Sequence, residues 1–291
     1  MRETDKTTAA QVLVRDMKTQ DIAAGLRLCR ASGWNQLEAD WCLFLELSPA
    51  GCRVAEKNGE IVGTVATLRY QDRFSWLSMV LVDPQERRAG IGTRLLYEGL
   101  ALLRHEACIR LDATRAGRQL YVQHGFLDEY SISRLTASPT ARQIIPVTGR
   151  VRRMSQRDLA VVLDQDRVIF GADREPILRS LFARSPEYAW VAVTSNVEGY
   201  CFGRPGFLYS QLGPIVAGDE NIAAELVSHC LVHNSDQRFG IDAPQHCTSW
   251  LRWLGSNGFA EERSFVRMYR GQNRYAGRTE CVFGVVGPEF G

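Results

Sequence analysis

No stretch of this chain is long and apolar enough to cross a bilayer as a helix: charge interrupts every apolar run well before the roughly 18 residues required. The segment Met1-Arg2-Glu3-Thr4-Asp5-Lys6 leads into no apolar run of the kind a signal peptide carries. The eight cysteines form no CxxC pair and no grouping with histidine at metal-ligand spacing. Free or buried thiols in a reducing compartment are therefore expected, with no metal and a cytoplasmic location. Net charge is nearly absent. At +2 it is too small to draw nucleic acid or an anionic membrane by bulk attraction, so any affinity for phosphate must come from a local site.

What is present is ordinary globular material: 291 residues, 45% hydrophobic and 23% charged, enough for two domains with sizeable cores. Leu13 to Arg15 reads as a short strand, and Thr19 as the cap of a first helix. A second helix spans about Gln36 to Leu47. Cys52 to Glu56 turns through Asn58-Gly59, a strong hairpin signal, into Ile61 to Tyr70, and Trp76 to Val82 is a third strand. From Gly90 to about Ala107, Ile91, Leu95, Leu96, Leu100 and Leu103 fall on one helical stripe. Ile109 to Ala113, a short helix from Gly117 to His124, and Tyr130 to Leu135 complete the half.

The order β-α-α-β-β-β-α-β-α-β then recurs from Val151 to Tyr269, down to matching His124-Gly125-Phe126 and Asn257-Gly258-Phe259. A repeat of this length is too long for a solenoid unit and reads as two copies of one domain, 1–138 and 139–291. Ser138 to Thr148, with Pro139 and Pro146, suits an extended linker. The segment from Gln272 onward is expected to hold little independent structure.

The stretch that carries chemistry is Val80-Leu81-Val82-Asp83-Pro84-Gln85-Glu86-Arg87-Arg88-Ala89-Gly90-Ile91-Gly92-Thr93. A strand ends at a proline, two arginines follow, and a helix opens at Gly-x-Gly. The first amides of a helix lack internal partners and its dipole is positive there, so with glycine allowing close approach it can hold an anion. Arg87 or Arg88 would add formal charge, and the whole suits a diphosphate. A Walker loop is excluded by the missing Gly-Lys-Ser/Thr, and a dinucleotide fingerprint by the missing third glycine. A tight strand-to-helix turn with solvated arginines is the plain alternative.

Arg87-x-x-Gly90-x-Gly92 after Val82-x-Pro84 resembles the acetyl-CoA loop of the GNAT superfamily of N-acetyltransferases. Leu120-Tyr121-x-x-x-Gly125-Phe126 resembles that family's other signature. The likeness is strong from about Val12 to Ala137 and only in outline beyond. It implies an α/β fold of tandem GNAT-like domains, each a mixed twisted sheet with splayed central strands and helices on both faces. It also implies that backbone groups of Val80 and Val82 hold the pantetheine arm, and that Arg87 and the amides of Arg88, Ala89, Gly90, Ile91, Gly92 and Thr93 hold the diphosphate. Thr114 stands where the family often has a cofactor-contacting asparagine and can donate one hydrogen bond.

By the same likeness Tyr121 protonates the departing thiolate, and an N–H near Val80 or Leu81 stabilises the oxyanion. An amine with a pKa of about 10 must also lose a proton. The sequence offers Asp112 and Glu46 as bases without deciding for either, and both suit structural roles equally. Arg115 and Arg118 read as solvated charges or as contacts for a phosphate. The function so implied is acetyl-CoA-dependent N-acetylation of a primary amine on a small molecule by a monomer or homodimer. The alternatives are a protein lysine or N-terminal acceptor, or an acetyl-CoA sensor without turnover.

The second copy departs from the pattern: Gly218-Asp219-Glu220-Asn221 puts two acids where the first has two arginines, and Leu254 stands in the place of Tyr121. Negative charge there repels a phosphate, so the second half is expected to be a degenerate domain that shapes the acceptor site or supports the first. Asp173-Arg174, Arg204-Pro205-Gly206 and Asp242 are candidates for reaching an acceptor, or are caps, a turn and ion pairs.

Overall fold

The computed structural model describes residues 11–141 and 149–291. The first half runs β1 (Leu13–Asp16), α1 (Ile22–Ala31), α2 (Glu38–Leu47), β2 (Cys52–Lys57), β3 (Glu60–Tyr70), β4 (Phe74–Val82), α3 (Ile91–Leu102), β5 (Cys108–Thr114), α4 (Arg115–Gln123) and β6 (Leu127–Ala137). The second runs β7 (Val151–Arg153), α5 (Gln156–Phe170), α6 (Glu175–Arg184), β8 (Trp190–Val193), β9 (Val197–Arg204), β10 (Ser210–Ala217), α7 (Glu220–His233), β11 (Phe239–Pro244), α8 (Thr248–Ser256) and β12 (Ala260–Gly271). The α/β order and the repeat are those expected. Of the anticipated linker, Pro139–Ala141 make one 3-10 turn, and 142–148 lie outside the described residues.

Local chemistry explains the boundaries. Asn58 and Gly59 take φ of 53° and 82°, as a two-residue hairpin turn demands. Thr19, expected to cap α1, does not. The Asp21 carboxylate accepts the Lys18 N–H at 2.8 Å and two Arg15 bonds, charge-assisted contacts that a hydroxyl cannot match. Helix α3 stops at Leu102, short of the expected Ala107, because Arg69 donates to the Leu102 carbonyl at 2.6 Å and to Glu106 at 2.8 Å.

The two halves do not keep separate sheets. One sheet runs β1-β2-β3-β4-β5-β12-β6-β11-β10-β9-β8-β7, so the last strand of each half lies beside the fifth strand of the other. The exchange is marked by two reciprocal ion pairs in register across the strands. Arg267 of β12 faces Asp112 of β5, donating to both carboxylate oxygens at 2.8 Å. Arg134 of β6 faces Asp242 of β11, donating at 2.7 and 2.6 Å. The side chains of all four are buried.

The segment after β12 also differs from expectation. It forms β13 (Val282–Gly284), paired antiparallel to β10, and its end enters the first half. Trp76 Nε1 donates to the Pro288 carbonyl at 2.9 Å, the Tyr70 hydroxyl donates to the Phe290 carbonyl at 2.7 Å, and Phe290 stacks on Phe44. Glycine there is low in side-chain bulk, not in contacts: a Cβ on Gly291 would lie 3.1 Å from the Trp76 ring.

A buried guanidinium without its carboxylate cannot be resolvated. Asp242→Ala is therefore expected to lower unfolding free energy by about 3–5 kcal/mol, read as a lower midpoint in urea.

Candidate active site

Strands β4 and β5 are parallel neighbours only at Ser75–Ile109 and Trp76–Arg110; past Trp76 they separate. The cause is on β4. Its register against β3 slips between Ser78, opposite Ala66, and Leu81, opposite Thr64, so Met79 and Val80 face Val65 alone. This is a β-bulge, which bends and twists the strand that carries it. Met79 sits at φ 54°, and Thr64 Oγ1 donates to its carbonyl at 2.7 Å. Among the described residues Val80 has no register partner on either side, whereas Leu81 has returned to register with Thr64.

The gap opens into a partly open cavity of about 160 Å³. Its walls bring together Ser78, Met79 and Val80 of β4, Thr114, Leu120 and Tyr121 around α4, and Arg134 and Phe265 from the exchanged strands. The Tyr121 ring meets the edge of Phe126, with centroids 5.8 Å apart, and its hydroxyl has no hydrogen-bond partner among the described residues. Desolvation pushes that hydroxyl up to about 12, so it holds its proton at neutral pH. Thr114 Oγ1 accepts the Gly117 N–H at 3.2 Å and caps α4, which leaves its own proton to donate into the cavity.

The two candidate bases fare differently. Asp112 lines the cavity, but Arg267 occupies both its oxygens; burial pushes its carboxyl up. Glu46 is exposed on α2 and lines no part of this cavity. Arg118 is paired with Asp128 at the surface, and Arg115 is exposed.

Beyond Val82 the chain enters the expected cradle. Arg88 takes φ 67° and Gly90 φ 78°, and the first helical bond of α3 is Arg94 N–H to Gly90 O at 3.0 Å. Among the described residues the amides from Arg87 to Thr93 have no acceptor, and neither Arg87 nor Arg88 has an ion-pair partner. Nothing lies within 4 Å of a Cβ built on Gly90, and only Val82, at 3.5 Å, is close to one on Gly92. A concave row of free N–H groups flanked by two free guanidinium groups fits an anion the size of a diphosphate.

Residues 21–126 match a family model described as the acetyltransferase (GNAT) family, and residues 162–284 match one described as an acetyltransferase (GNAT) domain. The chain is a tandem GNAT protein. It is 23% identical over 249 residues to an uncharacterised N-acetyltransferase of Bacillus subtilis, YitH, covering 84% of this chain and 86% of that one. It is 25% identical over 249 residues to the holothin acyltransferase of a Pseudoalteromonas strain, covering 83% and 82%. A solved structure from Pyrococcus horikoshii, 23% identical, superposes over 100% of this chain and 99% of its own with a TM-score of 0.82. Membership makes the protein an acyltransferase of a family whose donor is acetyl-CoA.

In the second half of this tandem GNAT the same gap is filled from within. β10 and β11 pair only from Ser210–Phe239 to Leu212–Ile241, and β13 then takes the freed edge of β10 at Ile215 and Val216. Val285 N–H bonds Asp242 O at 2.9 Å, and Trp250 Nε1 donates to Phe283 O at 2.8 Å. Asp219 caps α7 with its own carboxylate, accepting the Ile222 N–H at 2.9 Å, and Leu254 is fully buried in the core. The cross-interface candidates are likewise structural: Arg174 pairs with Asp166, Asp173 caps α6 by accepting the Glu175 N–H, Asp242 holds Arg134, and Gly206 lies against Asn35. Arg204 binds Asp40 and Glu289.

Sequence reasoning missed several cavity residues that the fold brings together, Gln36, Arg134, Arg263 and Glu289 among them. Nothing in their local patterns marks them, because each is recruited by tertiary contacts.

The contrast between the halves predicts one coenzyme A bound per chain in calorimetry. A Gly90→Glu, Gly92→Glu double variant is expected to weaken that binding by about two orders of magnitude, since both carboxylates would face the diphosphate.

Proposed function

We propose that this tandem GNAT transfers an acetyl group from acetyl-CoA to the primary amine of a small molecule, using the first half alone. The observation that carries the reading is the cavity at the β4–β5 split, which brings a protonated Tyr121 hydroxyl and the bulged backbone at Val80 together. The diphosphate would rest on the amides from Arg88 to Thr93 with Arg87 and Arg88 beside them. The pantetheine arm would run along Val82 and Val80 as an added strand, its amides answering backbone groups that no neighbouring strand uses.

In this arrangement the Val80 N–H faces the oxygen that becomes negative as the amine attacks, and a fixed donor there stabilises the charge. Tyr121 supplies the proton that the leaving sulfur requires. A cavity of about 160 Å³ supports a small acceptor, since a peptide would need a longer groove. The Pseudoalteromonas relative, named for acylation of holothin and not of a protein, supports the same choice.

Tyr121→Phe is expected to lower kcat by about 100-fold, the lower end of the usual contribution of a positioned acid. Coenzyme A affinity should stay within twofold. Because the raised Tyr121 keeps its proton as pH increases, wild-type kcat should show no alkaline fall from this group up to pH of about 10, well below its value of about 12. Wild-type turnover by the Phe variant would remove Tyr121 from the mechanism.

A further inference from the structure

The cavity has two polar walls that the donor does not account for. Gln36 follows α1 and is 4% exposed, and its buried Oε1 has no hydrogen-bond partner; no bond is formed by the other end of its amide either. Its place is set by the second half. Asn35 accepts the Leu208 N–H at 2.7 Å on Oδ1, donates from Nδ2 to the Tyr209 carbonyl at 3.0 Å, and its own carbonyl takes the Phe207 N–H at 2.9 Å. A Cβ on Gly206 would fall 2.1 Å from Asn35 Nδ2, so the loop after β9 can only close on Asn35 as glycine.

Glu289 is the second wall, brought in by the segment that has already passed through the second half as β13. It is 2% exposed. One carboxylate oxygen is held by Arg204, which also pairs with Asp40 at 2.8 Å; the carboxylate also takes a hydrogen bond from its own backbone N–H, and no second side chain holds it among the described residues. Arg134 of β6 and Asp40 of α2 also act on it, with Tyr70 of β3 and Cys29 of α1 within electrostatic range. Because Arg204 is shared with Asp40, it orients the Glu289 carboxylate without balancing both charges, in contrast to Asp112, whose two oxygens are both engaged by Arg267.

We propose that Glu289 is the catalytic base for the acceptor amine, and that Gln36 orients that amine by hydrogen bonding. The inference rests on the acetyltransferase reading above. The nitrogen lone pair forms the N–C bond at the thioester carbonyl while an N–H proton passes to the Glu289 carboxylate. The C–S bond then breaks with its electron pair on sulfur, and sulfur takes the Tyr121 proton. Return of the proton from Glu289 to the Tyr121 oxygen through water restores both groups, leaving an amide and a thiol. Burial pushes the Glu289 carboxyl up, which makes it a stronger proton acceptor than a solvated carboxylate. The acceptor class is a compact primary amine whose body packs against Trp34 and Phe265, two further walls of the cavity.

The test uses the full chain as wild type, Glu289→Gln, Glu289→Asp and Gln36→Leu. Coenzyme A affinity is measured by calorimetry, and thiol release from acetyl-CoA with benzylamine, tyramine and 4-methylaniline as acceptors. Expected are a fall in kcat of about 100-fold or more for Glu289→Gln, with coenzyme A affinity within twofold and the acid limb of kcat abolished for 4-methylaniline, an amine already neutral at neutral pH. Glu289→Asp should recover part of the rate with a displaced acid limb. Gln36→Leu should raise the amine KM by about tenfold with little change in kcat. The proposal is overturned if Glu289→Gln works within threefold of wild type or keeps the acid limb. If circular dichroism finds that variant unfolded, a wild-type pH profile in Glu289→Asp overturns it instead. Wild type that binds coenzyme A but acetylates none of the amines sinks the acceptor assignment alone; wild type that binds no coenzyme A sinks the acetyltransferase reading with it.

Discussion

Two arginine–aspartate pairs, buried in register between strands of opposite halves, are the constraint on which this molecule turns. A charged pair removed from water survives only where both members are fixed and their remaining donors and acceptors are met. Arg267 with Asp112, and Arg134 with Asp242, meet that condition only while β12 lies beside β5 and β6 beside β11. They therefore act less as a source of stability than as a specification of pairing. A strand slipped by one residue would strand a guanidinium opposite an apolar side chain.

That specification reaches the active site directly. Asp112 and Arg134 both line the cavity, and Phe265 beside them arrives on the exchanged strand. The second half is thus not an appendage to the first. It contributes walls, it holds Asn35 through the loop at 206–209, and it guides the segment that ends at Glu289. Its own cofactor groove is closed by β13 and by the Asp219 cap, two independent physical obstacles that agree with the acids and the leucine seen in its sequence.

Much of this was legible from residue order. Apolar periodicity and the Asn58-Gly59 turn placed most elements, the Gly90-x-Gly92 pair located the free amides, and the Leu120-Tyr121 signature put a hydroxyl in the split. The strand exchange was not legible, because β6 and β12 carry similar alternation and either could pair with either fifth strand. The matching Leu111-Asp112-Ala113 and Ile241-Asp242-Ala243 betray the repeat but not which arginine each aspartate meets. Met79 gives no warning of the bulge it forms, since a methionine at positive φ is a tertiary outcome and not a propensity. The segment from Gln272 misled for a related reason: its Gly277 and Gly291 mark close approach to Ile169 and Trp76, where sequence alone reads looseness.

The path of that segment carries a consequence for assembly. To deliver Glu289 it must first lie along β10, inside the groove of the second half, and only then cross to Tyr70 and Trp76. The chamber of the first half is consequently completed by chain that the second half holds in place. The two copies therefore cannot be parted, by truncation or by cleavage between them, without opening a wall of the cavity that only one of them carries.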